Sequence, residues 1–267
     1  MNEGDKMDVS EMIGRFVNRE IKARKIFEIV SITKKEAYNF VKDNHYLKDA
    51  KFFSEKQYGL YIGETLLGVA TYSRPQGTVA LKGWFGLSNQ DDSVLELSRL
   101  AVISDLNGSN ATSYLLRGSI KKLSKIGVRA VITLADSSRH VGSIYQVCGF
   151  RYFGLTNKKK DFYRFDGKKN PRGSTKSVRG VWVDRTQKHR YAVILDKNLI
   201  CNYDEKEYPK QGNTKEVTCC LGTGKIKDDR FNEEWDCPIC KKTDEHIKDH
   251  ATQIDIFNLL EGEYLWN

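Results

Sequence analysis

The stretch VRAVITLAD, residues 128–136, constrains the fold more than any other. Its apolar residues run almost unbroken over the length of one strand, so both faces of that strand must be covered. Such a strand needs helices against its sheet, and the flanking sequence supplies them. SDLNGSNATSYLLRGSIKKLSKIG (104–127) is a polar loop running into an amphipathic helix with the stripe Leu115, Leu116, Ile120 and Leu123. SSRHVGSIYQVCGF (137–150) is a short helix stopped at Gly149, and RYFGLTNKKKDFYRF (151–165) reads as a strand pair. Upstream, SITKKEAYNFVKDNHYLK (31–48) is a helix capped by Ser31 or Thr33, with Ala37, Phe40 and Val41 at helical spacing and an end near Asn44. YGLYIGETLLGVATYS (58–73) is a β-hairpin turning at Gly63, and VLELSRLAVI (94–103) is a strand. Hairpin, strand, loop, helix, strand, helix, strand is the order of a mixed α/β sheet flanked by helices.

Residues 1–30 read as a polar, partly helical lead with no clear period, and DGKKNPRGSTKSVRG (166–180) as a mobile basic linker. The formal net charge is +9, and residues 158–197 alone carry 13 Lys/Arg against four Asp, so one segment equals the whole excess. Even spread would serve solubility; this concentration is the footprint of a polyanion-binding surface. No run of about 18 apolar residues lacks a charge, which predicts no membrane span. The N-terminus lacks the apolar block of a signal peptide, which predicts a cytosolic chain.

Five of the six cysteines follow residue 200, which marks residues 212–267 as a small Cys-rich C-terminal extension. In a cytosolic chain cysteines read as buried thiols or metal ligands rather than disulfides. Cys237 and Cys240 form a C-x-x-C knuckle, and Cys219 and Cys220 precede it by about 16 residues, so a structural zinc ribbon is expected on these four. Adjacent cysteines reach opposite faces, so Cys201, His246 or His250 can replace one of that pair. An unmetallated hairpin with buried thiols is the simpler reading of the same residues. The tail after Asp228 is mostly acidic and is no phosphate binder.

The order strand, loop, helix, strand, helix, "GF" strand resembles the GNAT superfamily of N-acetyltransferases. That resemblance implies acetyl-coenzyme A, with the pantetheine arm on Arg99, Leu100, Ala101 and Val102 of LSRLAVI. It places the pyrophosphate on the loop Asn107, Gly108, Ser109, Asn110 and Ala111, where a helix N-terminus favours an anion. The usual loop pattern has a basic or amide residue where Leu106 stands and a glycine where Ser109 stands. The stretches NHYLK (44–48), LGVATYSRP (67–75), LELSRLAV (95–102), LADSS (134–138), GSIYQVCGFRYFG (142–154), RTQKHRY (185–191) and YPK (208–210) more specifically resemble the phage Mom family, over about residues 31–211.

Family members modify adenine in double-stranded phage DNA, adding a carbamoylmethyl group at N6 that shields it from host restriction enzymes, in the cytoplasm of the infected bacterium. Carried to this chain, the resemblance assigns Arg185, Lys188, His189, Arg190 and Lys210 to DNA phosphates. Tyr191 would stack or merely begin a strand. Asp136 would act as base or orienting group, Tyr145 would protonate the leaving thiolate, and His45 with Tyr46 would line the base pocket. His45 and Asp136 are also candidate iron ligands, because transfer through the acetyl methyl carbon is not ordinary acyl transfer. As plain structure, His45 is a helix-terminal cation, Asp136 a helix cap before SSRH, and Arg99 an exposed strand residue. The same fold would equally serve an ordinary N-acetyltransferase of a protein, small amine or hypermodified base, or a non-catalytic DNA-binding relative.

Overall fold

The computed structural model describes residues 8–45, 52–75, 80–88, 90–164, 180–210, 225–228 and 233–236. They fall into two compact units, described separately: residues 1–135, 140–155 and 189–210 form the first, and residues 136–139, 156–188 and 211–267 the second.

The first unit opens with helices α1 (Val9–Val17) and α2 (Ala23–Ile26) and strand β1 (Glu28–Ser31). Ile13, Phe16 and Phe27 are buried in the main core, and β1 pairs antiparallel with the next strand. The stretch read as a polar lead therefore contributes to the core. Its anchors are few and separated by charges, so no period announces them. Helix α3 (Lys34–Asn44) starts where expected, at a capping box: the Thr33 hydroxyl accepts from the Glu36 N–H at 3.2 Å, and the Thr33 N–H donates to the Glu36 carboxylate at 2.8 Å. The hairpin is β2 (Lys56–Ile62) and β3 (Thr65–Ser73), with Gly63 in its turn at φ +55°. A short helix α4 (Ala80–Phe85), absent from the sequence reading, buries Leu81, Trp84 and Phe85.

Strand β4 (Val94–Val102) leads through a 3-10 turn (Ser104–Leu106) into α5 (Ala111–Lys125), whose predicted stripe is buried throughout. Each of those leucines and isoleucines contributes roughly 1.5–3 kcal/mol by leaving water. Then come β5 (Ala130–Asp136), α6 (Ser143–Val147) and β6 (Arg151–Leu155). After the insertion β7 (Lys159–Arg164) and β8 (Gly180–Arg185), strand β9 (Lys188–Ile194) returns between β5 and β6. The seven-stranded sheet has the order β1-β2-β3-β4-β5-β9-β6, antiparallel from β1 through β4 and parallel between β4 and β5. This is the mixed sheet flanked by helices that the alternation predicts. One face is covered by α1 and α5; the other is covered by α3 over Val69 and Ala101 and by α4 over Val94, Ala130 and Ile132.

The strand pair read over 151–165 is corrected: β6 pairs antiparallel with β9, whereas β7 pairs antiparallel with β8 in a separate two-stranded sheet. Both β6 and β7 are locally strand-like, and a loop between them does not reveal that their partners lie elsewhere. The second unit also holds β10 (Lys225–Asp228) paired with β11 (Glu233–Asp236). The basic linker, apart from Gly180, lies outside the described residues, as do Cys219, Cys220, Cys237 and Cys240 of the expected zinc ribbon. Among the described residues no three His, Cys, Asp or Glu side chains gather as metal ligands, and no helix is long and apolar enough to cross a membrane.

Candidate functional site

In the first unit the site is organised by a defect in β4. Thr71 pairs with Arg99 and Tyr72 with Leu97, so Ser98 is an extra residue, a β-bulge. The sequence carries the reason. Leu95 and Leu97 face the α5 side, as do Leu100 and Val102, and only one inserted residue keeps both pairs on one face. The Ser98 hydroxyl holds the bulge, lying 2.9 Å from the Thr71 hydroxyl, with its one proton shared between the carbonyls of Thr71 (3.0 Å) and Phe53 (3.2 Å). Bulges bend strands, and here the parallel ladder between β4 and β5 registers only Val94–Glu96 with Ala130–Ile132. Past Glu96, Leu97 and Arg99–Val102 keep β3 as a ladder partner while the registered pairing with β5 ends. This is the geometry needed for a ligand with amide groups to lie along β4. Arg99 turns back, its Nη1 donating to the Ser98 carbonyl at 2.6 Å, and Ala101 is buried beneath α3.

Beyond β4 the chain turns at Gly108 (φ +77°) and enters α5 at the fully buried Ala111. Asn107, Gly108 and Asn110 are exposed, and the Asn110 side chain does not cap the helix. Ser109 does part of that work: its hydroxyl donates to the Leu106 carbonyl at 2.7 Å and accepts from the Ala111 N–H at 3.2 Å. A 15-residue helix beginning at an open turn fits a pyrophosphate, with Ser109 a competitor for one amide that a single side-chain rotation removes.

On the sheet face shared by α3 and α4, polar side chains interrupt the apolar cover. Thr71 and Ser73 are completely or almost completely buried, and Glu96, registered against Ser73 on β4, is half-buried. His45 is also buried, as the C-terminal cap of α3, with its N–H on the Val41 carbonyl. Thr71, Ser73 and Glu96 were not among the sequence candidates. Their signal was present: in GVATYS the hydroxyl residues alternate with Ala70 and Tyr72, marking one polar face of a strand otherwise built as core. Tyr46 lies outside the described residues.

KHRY resolves by the two-residue period of β9. His189 and Tyr191 face the α5 side of the sheet and are buried; Lys188 and Arg190 point to the other face. The imidazole Nδ1 of His189 is 2.9 Å from the Tyr152 hydroxyl, while the Arg190 guanidinium sits 4.5 Å over the Tyr203 ring and donates to the Leu155 carbonyl. Tyr191 is fully buried, donates to the Val141 carbonyl and accepts from Gln146 at 3.1 Å, so it is a core residue in the middle of β9 and does not present its ring for stacking. Burial, more than its neighbours, pushes the Tyr191 hydroxyl up to about 12. A phenol whose folded value lies above its ordinary one near 10 supports the fold fully below that ordinary value. Alkaline titration should therefore show stability falling as pH rises from about 10 through about 12, and Tyr191→Phe should flatten that loss. Tyr145 on α6 is half-buried, its ring centred 5.5 Å from Tyr191 and 5.6 Å from Phe150. Cys148 is a buried thiol pushed up to about 11 by desolvation, which removes it as a nucleophile.

In the second unit Asp136 ends β5 as the acceptor of a tight turn. Its Oδ1 accepts from the Ser138 N–H at 3.1 Å and the Ser138 hydroxyl at 2.7 Å, and its Oδ2 from the Thr186 hydroxyl at 3.5 Å. No helix follows directly at SSRH, so Asp136 is a turn residue and not a helix cap. Arg185 is committed internally: its Nε donates to Asp161 at 2.9 Å and its Nη2 to the other carboxylate oxygen, which raises the already high guanidinium value. Arg185→Ala removes the two-pronged partner of the nearly buried Asp161 carboxylate, and should cost about 3 kcal/mol. Limited proteolysis should then cut at β7 and β8 before the first unit. Lys188 and Lys210 are exposed.

A model of the Mom protein family matches residues 26–210. The chain belongs to the Mom protein family. The match begins at residue 26 rather than at 31, and so takes β1 into the Mom domain together with the Ser98 bulge, the α5 turn, the Asp136 turn and the β7–β8 insertion. No curated protein matches the chain. Among solved structures, a Bacillus subtilis acetyltransferase in complex with CoA is 19% identical, covering 63% of this chain and 97% of its own, with a TM-score of 0.38. An N-acetyltransferase from Staphylococcus aureus is 15% identical over 64% of this chain and 99% of its own, with a TM-score of 0.40. A GNAT family acetyltransferase from Elizabethkingia anophelis with acetyl-CoA bound is 15% identical over 63% and 97%, with a TM-score of 0.39. At such scores the GNAT-like assignment rests on the element order, the parallel β4–β5 pair and the bulged β4, not on these neighbours.

Proposed function

We propose that this Mom-family chain modifies adenine at N6 in double-stranded DNA, using acetyl-coenzyme A and adding the carbamoylmethyl group for which the family is known. The observation that carries this reading is the end of the β4–β5 ladder just before the Ser98 bulge, on a strand that leads into the open turn at the start of α5. Backbone groups of Arg99, Leu100, Ala101 and Val102 would pair with the pantetheine amides, and Asn107–Ala111 would hold the pyrophosphate. Bound there, acetyl-coenzyme A would supply the two-carbon unit: its methyl carbon would bond to N6 and its thioester would become the amide as coenzyme A leaves, with a two-electron oxidant and an ammonia-level nitrogen donor as co-reactants. Tyr145 would hold a proton for the thiolate. Asp136, its carboxylate steered by Ser138 and Thr186, would orient or deprotonate the adenine amino group, which is a poor nucleophile because its lone pair is delocalised into the ring.

The base must leave the duplex to be reached, at a cost of roughly a few kcal/mol. Lys188 and Lys210 are the residues of the predicted set that remain suited to phosphate; Arg190 lies over Tyr203 and donates to the Leu155 carbonyl, Arg185 supports its own hairpin, and His189 and Tyr191 support the core. Iron at His45 and Asp136 and zinc at the C-terminal cysteines stay outside this reading, because no three His, Cys, Asp or Glu side chains gather among the described residues and the cysteines lie beyond them.

The experiment is mass spectrometry of nucleosides from plasmid DNA isolated after expression of the chain. An adenosine heavier by one carbamoylmethyl group supports the reading, and one heavier by an acetyl group redirects it to N-acetylation. Unmodified DNA beside soluble, folded, coenzyme A-binding protein would move the chemistry to another amine.

A further inference from the structure

The β7–β8 hairpin carries a feature that the site above does not use. In β8, Val181 and Val183 are buried while Trp182 and Asp184 point outward, and Trp182 keeps 52% of its surface exposed. Cross-strand register places Lys160 with Asp184, Phe162 with Trp182, and Arg164 with Gly180 on one face. The Phe162 ring is buried and meets Trp182 edge to face at 5.3 Å, which fixes the indole from one side. Two exposed cations, Lys160 and Arg164, flank the Phe162–Trp182 pair along β7. Lys160 is paired with Asp184 at 3.7 Å, but both side chains are more than 60% exposed, so that pair exchanges readily for a phosphate.

We propose that this outward face of the hairpin is a DNA contact in which Trp182 stacks on an unpaired base while Lys160 and Arg164 hold the flanking phosphates. The proposal rests on the DNA-modification reading above and names a part of the partner's recognition. A large aromatic between two cations, inside the segment that carries the chain's whole excess of positive charge, matches the alternation of phosphate and base along an opened strand. A protein partner would favour an interface centre depleted of lysine, which this face is not. An enzyme that extrudes a nucleotide creates an unstacked base face, and a buttressed indole offsets that loss.

The test is fluorescence anisotropy with two labelled duplexes, one fully paired and one with a single unpaired adenine. The wild-type chain should prefer the second. Trp182→Ala should weaken binding to the unpaired duplex about tenfold and to the paired one much less, while Trp182→Phe retains most of the preference and controls for lost support of Phe162. Equal affinities of wild type and Trp182→Ala for both duplexes overturn the proposal and leave the DNA reading intact. So does a Trp182→Ala chain that changes only from dimer to monomer in sedimentation, since the indole then serves a second copy. A wild-type chain that binds neither duplex overturns the proposal and the DNA reading together.

Discussion

Asp136→Asn is expected to lower adenine modification by between about a hundredfold and ten-thousandfold while leaving the fold in place. The asparagine carbonyl can still accept from the Ser138 N–H and hydroxyl, the two bonds that close the turn, so the turn costs little, under about 1 kcal/mol. What the substitution removes is the negative charge and the second acceptor facing Thr186. Nucleoside mass spectrometry reads the loss, and thermal unfolding reads the retained stability. Full modification by a folded Asp136→Asn chain would leave Asp136 as a turn residue alone. Asp136→Ala separates the two roles further, because it loses the turn bonds as well and should unfold earlier.

Deleting Ser98 should yield a folded chain that has lost coenzyme A binding by more than about tenfold. The deletion puts Leu95, Leu97, Leu100 and Val102 at unbroken two-residue spacing, so the apolar face and the pairs Leu97–Tyr72 and Arg99–Thr71 survive. The single donor bond of the Ser98 hydroxyl, shared between the Phe53 and Thr71 carbonyls, goes, at about 1 kcal/mol. The bend goes too, and a straightened β4 can extend its ladder along β5 past Glu96, closing the edge that the cofactor would use. Titration calorimetry with coenzyme A, beside circular dichroism for folding, measures both halves of the expectation. Undiminished binding by the deleted chain would move the cofactor away from β4.

Local chemistry made much of this structure legible. A capping box at Thr33 and Glu36 starts α3, a glycine at positive φ turns the hairpin, and a four-residue stripe sets α5 against the sheet. Even the bulge is written in LSRL, where two polar residues stand between leucines that must share a face. The regions that misled the sequence reading are those whose partners are distant. Residues 8–31 hide three core anchors among charges, and α4 has too few turns to show a period. The hairpin β7–β8 interrupts the path from β6 to β9, so consecutive strand-like stretches belong to different sheets.

The candidate site divides along the same line. Asp136 at a strand end, the open turn before α5 and the basic stretch from 158 to 197 are local facts, visible as residue type and spacing. Which of the basic and aromatic residues are available was decided by pairing. Period two says that His189 and Tyr191 share one face and Lys188 and Arg190 the other, but only the insertion of β9 between β5 and β6 makes the first face core. Asp161 and Arg185 are 24 positions apart, and only the β7–β8 register turns a predicted phosphate contact into a buried ion pair. The amino-acid sequence by itself determined the elements and their order, because caps, turns and stripes act within a few residues. The tertiary structure decided which side chains face inward, because burial depends on strands brought together from opposite ends of the domain.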